Sequence, residues 1–533
     1  MDADKKTTVL MTMSCGPYPK LDGVNSMDLY SSRLTKNQDI FTFHSYYPRL
    51  AIHLIAQNLK APSVVLETPS FGDFVSEIKK GYDYVGINFD TIFYDQIFKM
   101  VKAVKKFSPE TKIILGGYGV VCLNEKFQEE QELVKMVDYV CHGEGISFVR
   151  GLLGEDVDAP VAQDFPLAYI SIFGQKVYFD NLVSALGCRS GCEFCCTSAF
   201  YGYKKVRILS ALRLWELLKK KIQKNQDTAF TWIYDEDFFD DPDYVREFAG
   251  YIKSDPDISP EQVRWGGYGS VRSLSQFTIE ELLEMGVSSL WIGVESDYTD
   301  LPKRKGKDVK QLFSELHSAG IQTIGSFIIG WDFHSPENVQ KDIDYFVSLQ
   351  PTYSQVSSLM PCPETRLWKR MLEEGRLYTE GFKWRNHHLY SIMHRHELLK
   401  DEEVPLLVQD TMVKLFENNG PSALRTFESN LHGYLYSYKH PNPRVNRRRA
   451  IFEKWCRFIV PALPAMKIYA PGKTVRKKID ALMQEYIDTF GKMTFAQHLQ
   501  KHAFILLATL LKISSLFPHS GRDPRTKKFY YNK

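Results

Sequence analysis

Over the first 160 residues, short apolar runs alternate with stretches of helical periodicity. The runs at 9–13, 64–67, 84–89, 112–115 and 137–141 predict strands. Between them, Leu50, Leu54, Ile55 and Leu59 fall on one helical face, and Ile97, Val101 and Val104 on another. Strands alternating with amphipathic helices predict a parallel, doubly wound sheet, because a parallel pair needs a crossover long enough to hold a helix. Such sheets bind ligands beyond the carboxyl ends of their strands. The loops in that position are Asn88-Phe89-Asp90-Thr91, Gly116-Gly117-Tyr118-Gly119 and His142-Gly143-Glu144-Gly145. Their glycines permit close backbone approach, although a glycine after a strand more often serves only a turn.

Residues 161–180 carry Pro166 and few helical signals, and read as a linker. From 181 to 375 the alternation resumes six times, with strands expected near 182–186, 230–234, 263–266, 290–294, 323–329 and 355–360. Thr278-Ile279-Glu280-Glu281 is a capping-box pattern that starts one intervening helix. Six βα units predict a partial barrel, (β/α)6, with its site at the strand carboxyl ends. Those ends carry Asp235-Glu236-Asp237-Phe238; Tyr268, Ser270 and Arg272; Glu295-Ser296; Gly330-Trp331-Asp332; and Pro361-Cys362-Pro363-Glu364-Thr365. Acidic residues after a strand are often helix caps, and Asp240-Asp241-Pro242 reads as one.

From 376 to 533 the pattern turns helical. His387, His388, His394 and His396 lack the spacing of a metal site and are expected to be solvated or to line a cavity. Residues 439–478 carry twelve Lys or Arg against a single acid, Glu453, interleaved with Phe452, Trp455 and Phe458. An apolar run follows at 503–517, too short to span a bilayer, then Arg522, Arg525, Lys527 and Lys528. This combination suits either an interfacial membrane helix or a buried helix beside a solvated basic face. No nucleic-acid module accompanies the basic run, so no nucleic acid is expected as partner.

Composition narrows the classes. At 44% hydrophobic and 25% charged the chain is an ordinary globular protein, and a net charge of +3 excludes a polyelectrolyte binder. The opening residues lead into the first strand without an apolar leader, which predicts a cytoplasmic location, peripheral on the inner membrane face if the basic run binds lipid.

The nine cysteines change the picture most. Cys188, Cys192 and Cys195 stand at C-x3-C-x2-C spacing within Leu186-Gly187-Cys188-Arg189-Ser190-Gly191-Cys192-Glu193-Phe194-Cys195. Thiolates on one short loop suit an iron–sulfur cluster, and three of them leave one iron of a four-iron cluster open to a ligand. A zinc site lacking its fourth ligand is the competing reading. Cys196 lies off the spacing and reads as a neighbour.

This loop, with Phe194 before its third cysteine, resembles the signature of radical S-adenosylmethionine (SAM) enzymes. The resemblance implies a [4Fe-4S] cluster on Cys188, Cys192 and Cys195, and SAM on the open iron. It further implies reductive SAM cleavage to a 5′-deoxyadenosyl radical, with an external electron donor of flavodoxin or ferredoxin type. Asp235, Glu236 and Asp237 match the family's acidic segment near the SAM amino group. Glu295 and Ser296 match the segment near its ribose and carboxylate, and Arg272 and Gly330 stand on neighbouring strand ends. Pro361-x-Pro363-x-Thr365 matches a proline turn of the cobalamin-binding subgroup, with Glu364 where glycine is usual.

The N-terminal domain, 1–160, resembles the cobalamin-binding domain of that subgroup. The cobalamin contacts this implies are Asn88, Gly116, Gly117, Gly143 and Glu144. The chain lacks Asp-x-His-x-x-Gly, so either cobalamin binds with no histidine on cobalt or the domain is vestigial. Phe200-Tyr201-Gly202 resembles the corresponding segment of lipid-modifying members such as hopanoid C-3 methylase. The resemblance implies methyl transfer to an unactivated carbon of a lipid, with a natural-product precursor as second choice. The alternatives are a radical cyclase or oxidoreductase that does not methylate, and a non-catalytic iron–sulfur redox sensor.

Overall fold

The computed structural model describes residues 7–532 except 22, 125–127, 173–174, 226–227, 381, 517–520 and 522. Phe517 and Arg522, part of the apolar and basic tail singled out above, lie outside the described residues. Two large sheets organise the chain. Their strands are β1 (Val9–Met13), β2 (His44–Tyr46), β3 (Ser63–Glu67), β4 (Tyr84–Asn88), β5 (Lys112–Gly116), β6 (Tyr139–Val140), β7 (Ala168–Ile172), β8 (Gln175–Val183), β9 (Thr231–Tyr234), β10 (Trp265–Gly269), β11 (Val287–Glu295), β12 (Gln322–Ile329), β13 (Tyr353–Ser358) and β14 (Lys527–Tyr531).

The first sheet runs β14-β3-β1-β4-β5-β6. Its five N-terminal strands are all parallel, in a flavodoxin-like order, as their near-continuous apolar runs require of strands buried on both faces. β14 adds an antiparallel edge on β3, so the mainly helical C-terminal region ends in a strand of the N-terminal sheet. The second sheet runs β13-β12-β11-β10-β9-β8-β7-β2. Its six strands β8 to β13 are parallel and form the predicted open barrel. The capping box at Thr278 forms as read: the Glu281 N–H donates to Thr278 Oγ1 at 3.1 Å, and the Thr278 N–H to Glu281 Oε2 at 2.8 Å.

The stretch 161–180, read as a linker, is not structureless. It contains β7 and the start of β8, an antiparallel hairpin that extends the barrel sheet. Ala168-Tyr169-Ile170-Ser171 and Val177-Tyr178-Phe179 are strong strand formers, and this preference outweighs the nearby prolines. β2, from within the N-terminal region, pairs antiparallel with β7 and ties the two sheets together.

The helices α1 (Ser422–Ser437), α2 (Arg449–Ile459), α3 (Lys473–Phe490) and α4 (Phe495–Ser514) build a separate core beneath the barrel around Leu424, Phe427, Leu463 and Ile479. Arg448 pins them to the barrel. Its buried guanidinium donates to the carbonyls of Val263 (3.1 Å) and Val287 (2.9 Å), at the amino ends of β10 and β11.

Candidate active site

The three-cysteine loop leaves the barrel after β8 and closes on the short helix Cys196–Phe200. Gly187 and Gly191 adopt φ of +76° and +70°, and a Cβ on Gly187 would collide with the Lys204 carbonyl and the Tyr201 ring. Glycine is therefore required at 187 for the loop to fold back on itself. Cys188 and Cys192 are buried and Cys195 half-buried. Cys188 Sγ accepts the Ser190 N–H at 3.4 Å. Burial pushes the Cys192 thiol up to about 11 and raises Cys188 as well; the other two cysteines of the triple add to the rise at Cys192. The three thiols thus lie near enough to act on one another, with Cys188 and Cys192 desolvated and Cys195 at the rim.

Among the described residues, no three His, Cys, Asp or Glu converge as they would on a single metal ion. A four-iron cube holds each thiolate on a different iron, so its ligands need face only a common space. Metal loading must expel the thiol protons.

The strand ends close around this loop. Asp235 is buried and held by Lys205 (2.7 Å) and Arg207 (3.0 Å), while Lys205 also pairs with Asp240 at 2.6 Å. Asp237 Oδ1 accepts Ser273 Oγ–H at 2.6 Å and the Ser270 N–H at 3.2 Å. Asp237 Oδ2 and Glu236 Oε2 are buried with no protein partner. Unspent oxygens of this kind are what a bound amine or hydroxyl would satisfy. Desolvation, then the Asp235 charge, pushes Glu236 up to about 8. Arg272 reaches the cluster loop, its Nη2 3.5 Å from Ser190 Oγ.

Glu295, at the end of β11, sits at φ +63°, an uncommon conformation for a side chain with a Cβ. Its carboxylate pairs with Lys303 Nζ. Lys303 also lies 5.4 Å from the Phe194 ring centroid and beside Cys192 and Cys195. Burial opposes its charge, yet Glu295 and the adjacent thiols hold its pKa above the usual lysine range. No sequence signal marked Lys303. Pro302-Lys303-Arg304 reads as a solvated basic turn until the fold places it on the cluster loop. Phe194 itself meets Trp331 edge-on at 5.3 Å.

Other expected contacts are spent internally. Ser296 Oγ donates to Asp342 at 2.5 Å, and the Gly330 N–H donates to His334 Nδ1 at 3.1 Å. Glu144 caps the helix Gly145–Leu152 through the N–H groups of Ile146 and Ser147. Gly117 (φ +89°) packs against Asn88 and Phe89, and the Gly116 carbonyl accepts the Phe89 N–H. A Cβ on Gly143 (φ +104°) would meet nothing, so its backbone is open to a ligand.

The four histidines at 387–396 are neither solvated nor on the main cavity; all are buried. Backbone carbonyls of the barrel ends capture two of them: His387 Nε2 lies 2.9 Å from the Pro361 oxygen and His396 Nε2 2.8 Å from that of Trp331.

The carboxyl ends of the N-terminal sheet lie against the same loop. Tyr118 and His142 pack on Phe200, with ring centroids at 5.1 and 4.6 Å. His142 Nε2 is 2.7 Å from Glu364, and Thr91 Oγ1 is 2.7 Å from His387 Nδ1. Residues 182–346 match the Radical SAM superfamily. This segment is a radical SAM domain. It covers β8's end through β12, the whole set of strand ends described above except the proline turn.

Three relatives extend the likeness. An uncharacterised methyltransferase of Pyrococcus horikoshii is 22% identical over 393 residues, 66% of this chain and 82% of the relative. Bacteriochlorophyllide d C-12(1)-methyltransferase of Chlorobaculum tepidum is 25% identical over 62% of this chain and 74% of its own. Hopanoid C-2 methylase of Rhodopseudomonas palustris is 24% identical over 49% and 48%. The solved structure of TsrM from Kitasatospora setae, a radical SAM methyltransferase, superimposes with a TM-score of 0.53 at 13% identity. The match covers 84% of this chain and 98% of that one, and shows a shared architecture.

Proposed function

We propose that the chain is a cobalamin-dependent radical SAM methyltransferase acting on an unactivated carbon of a lipid or other hydrophobic substrate. The observation that carries this reading is the meeting of two ligand-binding sheet ends on one loop. The barrel ends bring Glu236, Asp237 and Glu295 to the cysteines. The N-terminal sheet brings Tyr118, His142 and the open Gly143 backbone to Phe200, the last residue of the same loop–helix unit. The relatives named as methyltransferases of bacteriochlorophyllide and hopanoid support a methyl acceptor that is large and apolar.

When bound, cluster and SAM supply a 5′-deoxyadenosyl radical, and cobalamin supplies the methyl group. The protein's part is binding and exclusion of water. Cys188, Cys192 and Cys195 would hold the cluster. Glu236 and Asp237 offer their unpaired oxygens to an amine, and Lys303 offers its charge to a carboxylate. Phe194, Trp331 and Phe200 wall the loop with aromatic rings. His142 meets Glu364 through Nε2 and packs its ring on Phe200.

The chain would need an external low-potential electron donor. The exposed bases Arg447, Arg449, Lys454, Lys473, Arg476 and Lys477 support peripheral contact with anionic lipid. Among the described residues, no helix is long and apolar enough to cross a membrane. The test is anaerobic reconstitution with SAM and cobalamin, assayed together for 5′-deoxyadenosine and S-adenosylhomocysteine, and for a base-off spectrum with no histidine nitrogen on cobalt. 5′-Deoxyadenosine without S-adenosylhomocysteine would favour a cyclase or oxidoreductase; a histidine-nitrogen signal on cobalt would overturn the histidine-off reading, and no cobalamin binding at all would favour a vestigial N-terminal domain.

A further inference from the structure

The lumen of a closed eight-stranded (β/α) barrel is packed solid with strand side chains, a closure this open sheet lacks. Here it is open. A cavity of about 490 Å³ runs inside the second sheet, within the range of roughly 300–1,000 Å³ for small-molecule sites. Its upper end is at Tyr234 and Tyr118. Tyr234 directly precedes Asp235, and Tyr118 packs on Phe200 of the loop–helix unit. Its middle is walled by aromatic rings: Phe179 stacks on Phe230 at 4.9 Å and Tyr268 on Trp291 at 5.5 Å. It then passes the amino ends of the strands at Ala229 and Gln322 and continues between α1, α2 and α4, to Ala423, Phe458 and Phe504.

The strand section is four to five residues of β9 and β10, roughly 15 Å at ~3.3 Å per residue. A helical layer adds about 10 Å. The path is thus on the order of 25 Å, walled mainly by aromatic and aliphatic side chains, with Arg33, Arg49 and Arg264 also on its lining.

The far end opens on an apolar surface. Phe458 is 48% exposed, and α4 presents Leu506, Leu510 and Ile513 to solvent at 61%, 54% and 51%. α4 also supplies Phe504 to the cavity wall. The exposed bases of 439–478 lie on the neighbouring helices.

The geometry points to a substrate tunnel through the barrel: the elongated apolar body of the methyl acceptor lies along the barrel axis, admitted from a lipid surface between α2 and α4. Its reacting carbon lies at the Tyr234 end. This deepens the methyltransferase reading and rests on it for the chemistry at that end, but the binding claim stands on the cavity alone. A compact polar acceptor would leave most of this path empty.

The test is equilibrium dialysis of the reconstituted full chain against radiolabelled decanoic and octadecanoic acids, which differ in length and share a head. The parent is expected to bind one octadecanoate per chain, at least tenfold tighter than decanoate. Ala423→Trp, which fills the path at the helical end, is expected to weaken octadecanoate at least tenfold and decanoate less than threefold. The milder Ala423→Phe should give a smaller change of the same pattern, guarding against a misfolded tryptophan variant. Absence of octadecanoate binding, or equal loss of both acids, overturns the tunnel; so does unchanged octadecanoate binding in Ala423→Trp, which would place the acid on the α4 surface. 5′-Deoxyadenosine formation in the same preparations separates the two readings: cleavage of SAM without chain binding rejects the tunnel and leaves the radical chemistry standing.

Discussion

Replacing Lys303 with methionine keeps an unbranched apolar stem and removes the ammonium, with its charge and its hydrogen-bond donors. In the folded protein, Lys303 and Glu295 are 15% and 6% exposed, so the pair is shielded from water on both sides. Two unit charges in contact are worth about 4 kcal/mol at an effective dielectric near 20. Removing one member of a buried pair costs about 3–5 kcal/mol, chiefly because the survivor is left uncompensated. Glu295 is held by backbone at φ +63° and cannot readily swing out to water. Lys303→Met is therefore expected to destabilise the barrel by roughly 3–5 kcal/mol near neutral pH, read as a lower denaturant midpoint of the full chain under anaerobic conditions. An internal check follows: the defect should shrink in Lys303→Met combined with Glu295→Gln, which removes the orphaned charge altogether. If Lys303→Met unfolds at the parent's denaturant concentration and is indifferent to Glu295→Gln, the pair contributes nothing and its placement on the cluster loop is incidental.

Cys192→Ala should abolish both the iron content, about four irons per chain in the parent, and SAM cleavage; parental 5′-deoxyadenosine formation would refute the cluster assignment. Stability should fall as pH drops from 6.5 toward 4. Desolvation holds His317, His387 and His394 down at about 4 in the fold, so below their ordinary 6.5 the unfolded chain binds protons the fold does not. His387→Gln should flatten that slope by up to a few kcal/mol, as thermal unfolding across the window would show. Binding to anionic liposomes should occur at low salt and fall with added salt, at about 1 kcal/mol per surface-near base, and fall again in Leu506→Ser with Leu510→Ser, which removes exposed apolar side chains of α4 and leaves β14 in place. A full chain that ignores such liposomes at low salt would exclude the peripheral membrane role. Not all twelve bases of 439–478 can contribute: Arg448 is buried on barrel carbonyls, and Lys467 and Lys478 pair with Asp480 (2.5 Å) and Glu428 (2.7 Å).

The alternation of apolar runs and helical faces by itself determined both sheets, because strands buried on two faces must be almost wholly apolar and parallel pairs must be spaced by helices. Five of the six parallel strands of the barrel lie within a few residues of their expected positions, whereas β8 runs 175–183 in place of the expected 182–186, and the spacing of Cys188, Cys192 and Cys195 identified the loop on which the site is built. Those are local signals, carried by residues close in the chain. What sequence could not carry is the meeting of distant segments. β2 and β14 are short and polar-edged, and nothing in His44–Tyr46 or Lys527–Tyr531 says which sheet each joins; pairing partners 123 or more residues away decide it. Lys303 looks like any solvated lysine until the turn after β11 buries it against Glu295 and Phe194. The histidines at 387–396 look polar and exposed until the barrel's carbonyls capture them. The lumen is the extreme case. Nothing in the sequence marks Trp232 and Trp291 as cavity walls, Tyr268 reads only as a strand-end residue, and only the failure of an open, eight-stranded sheet to close leaves the space between them unfilled.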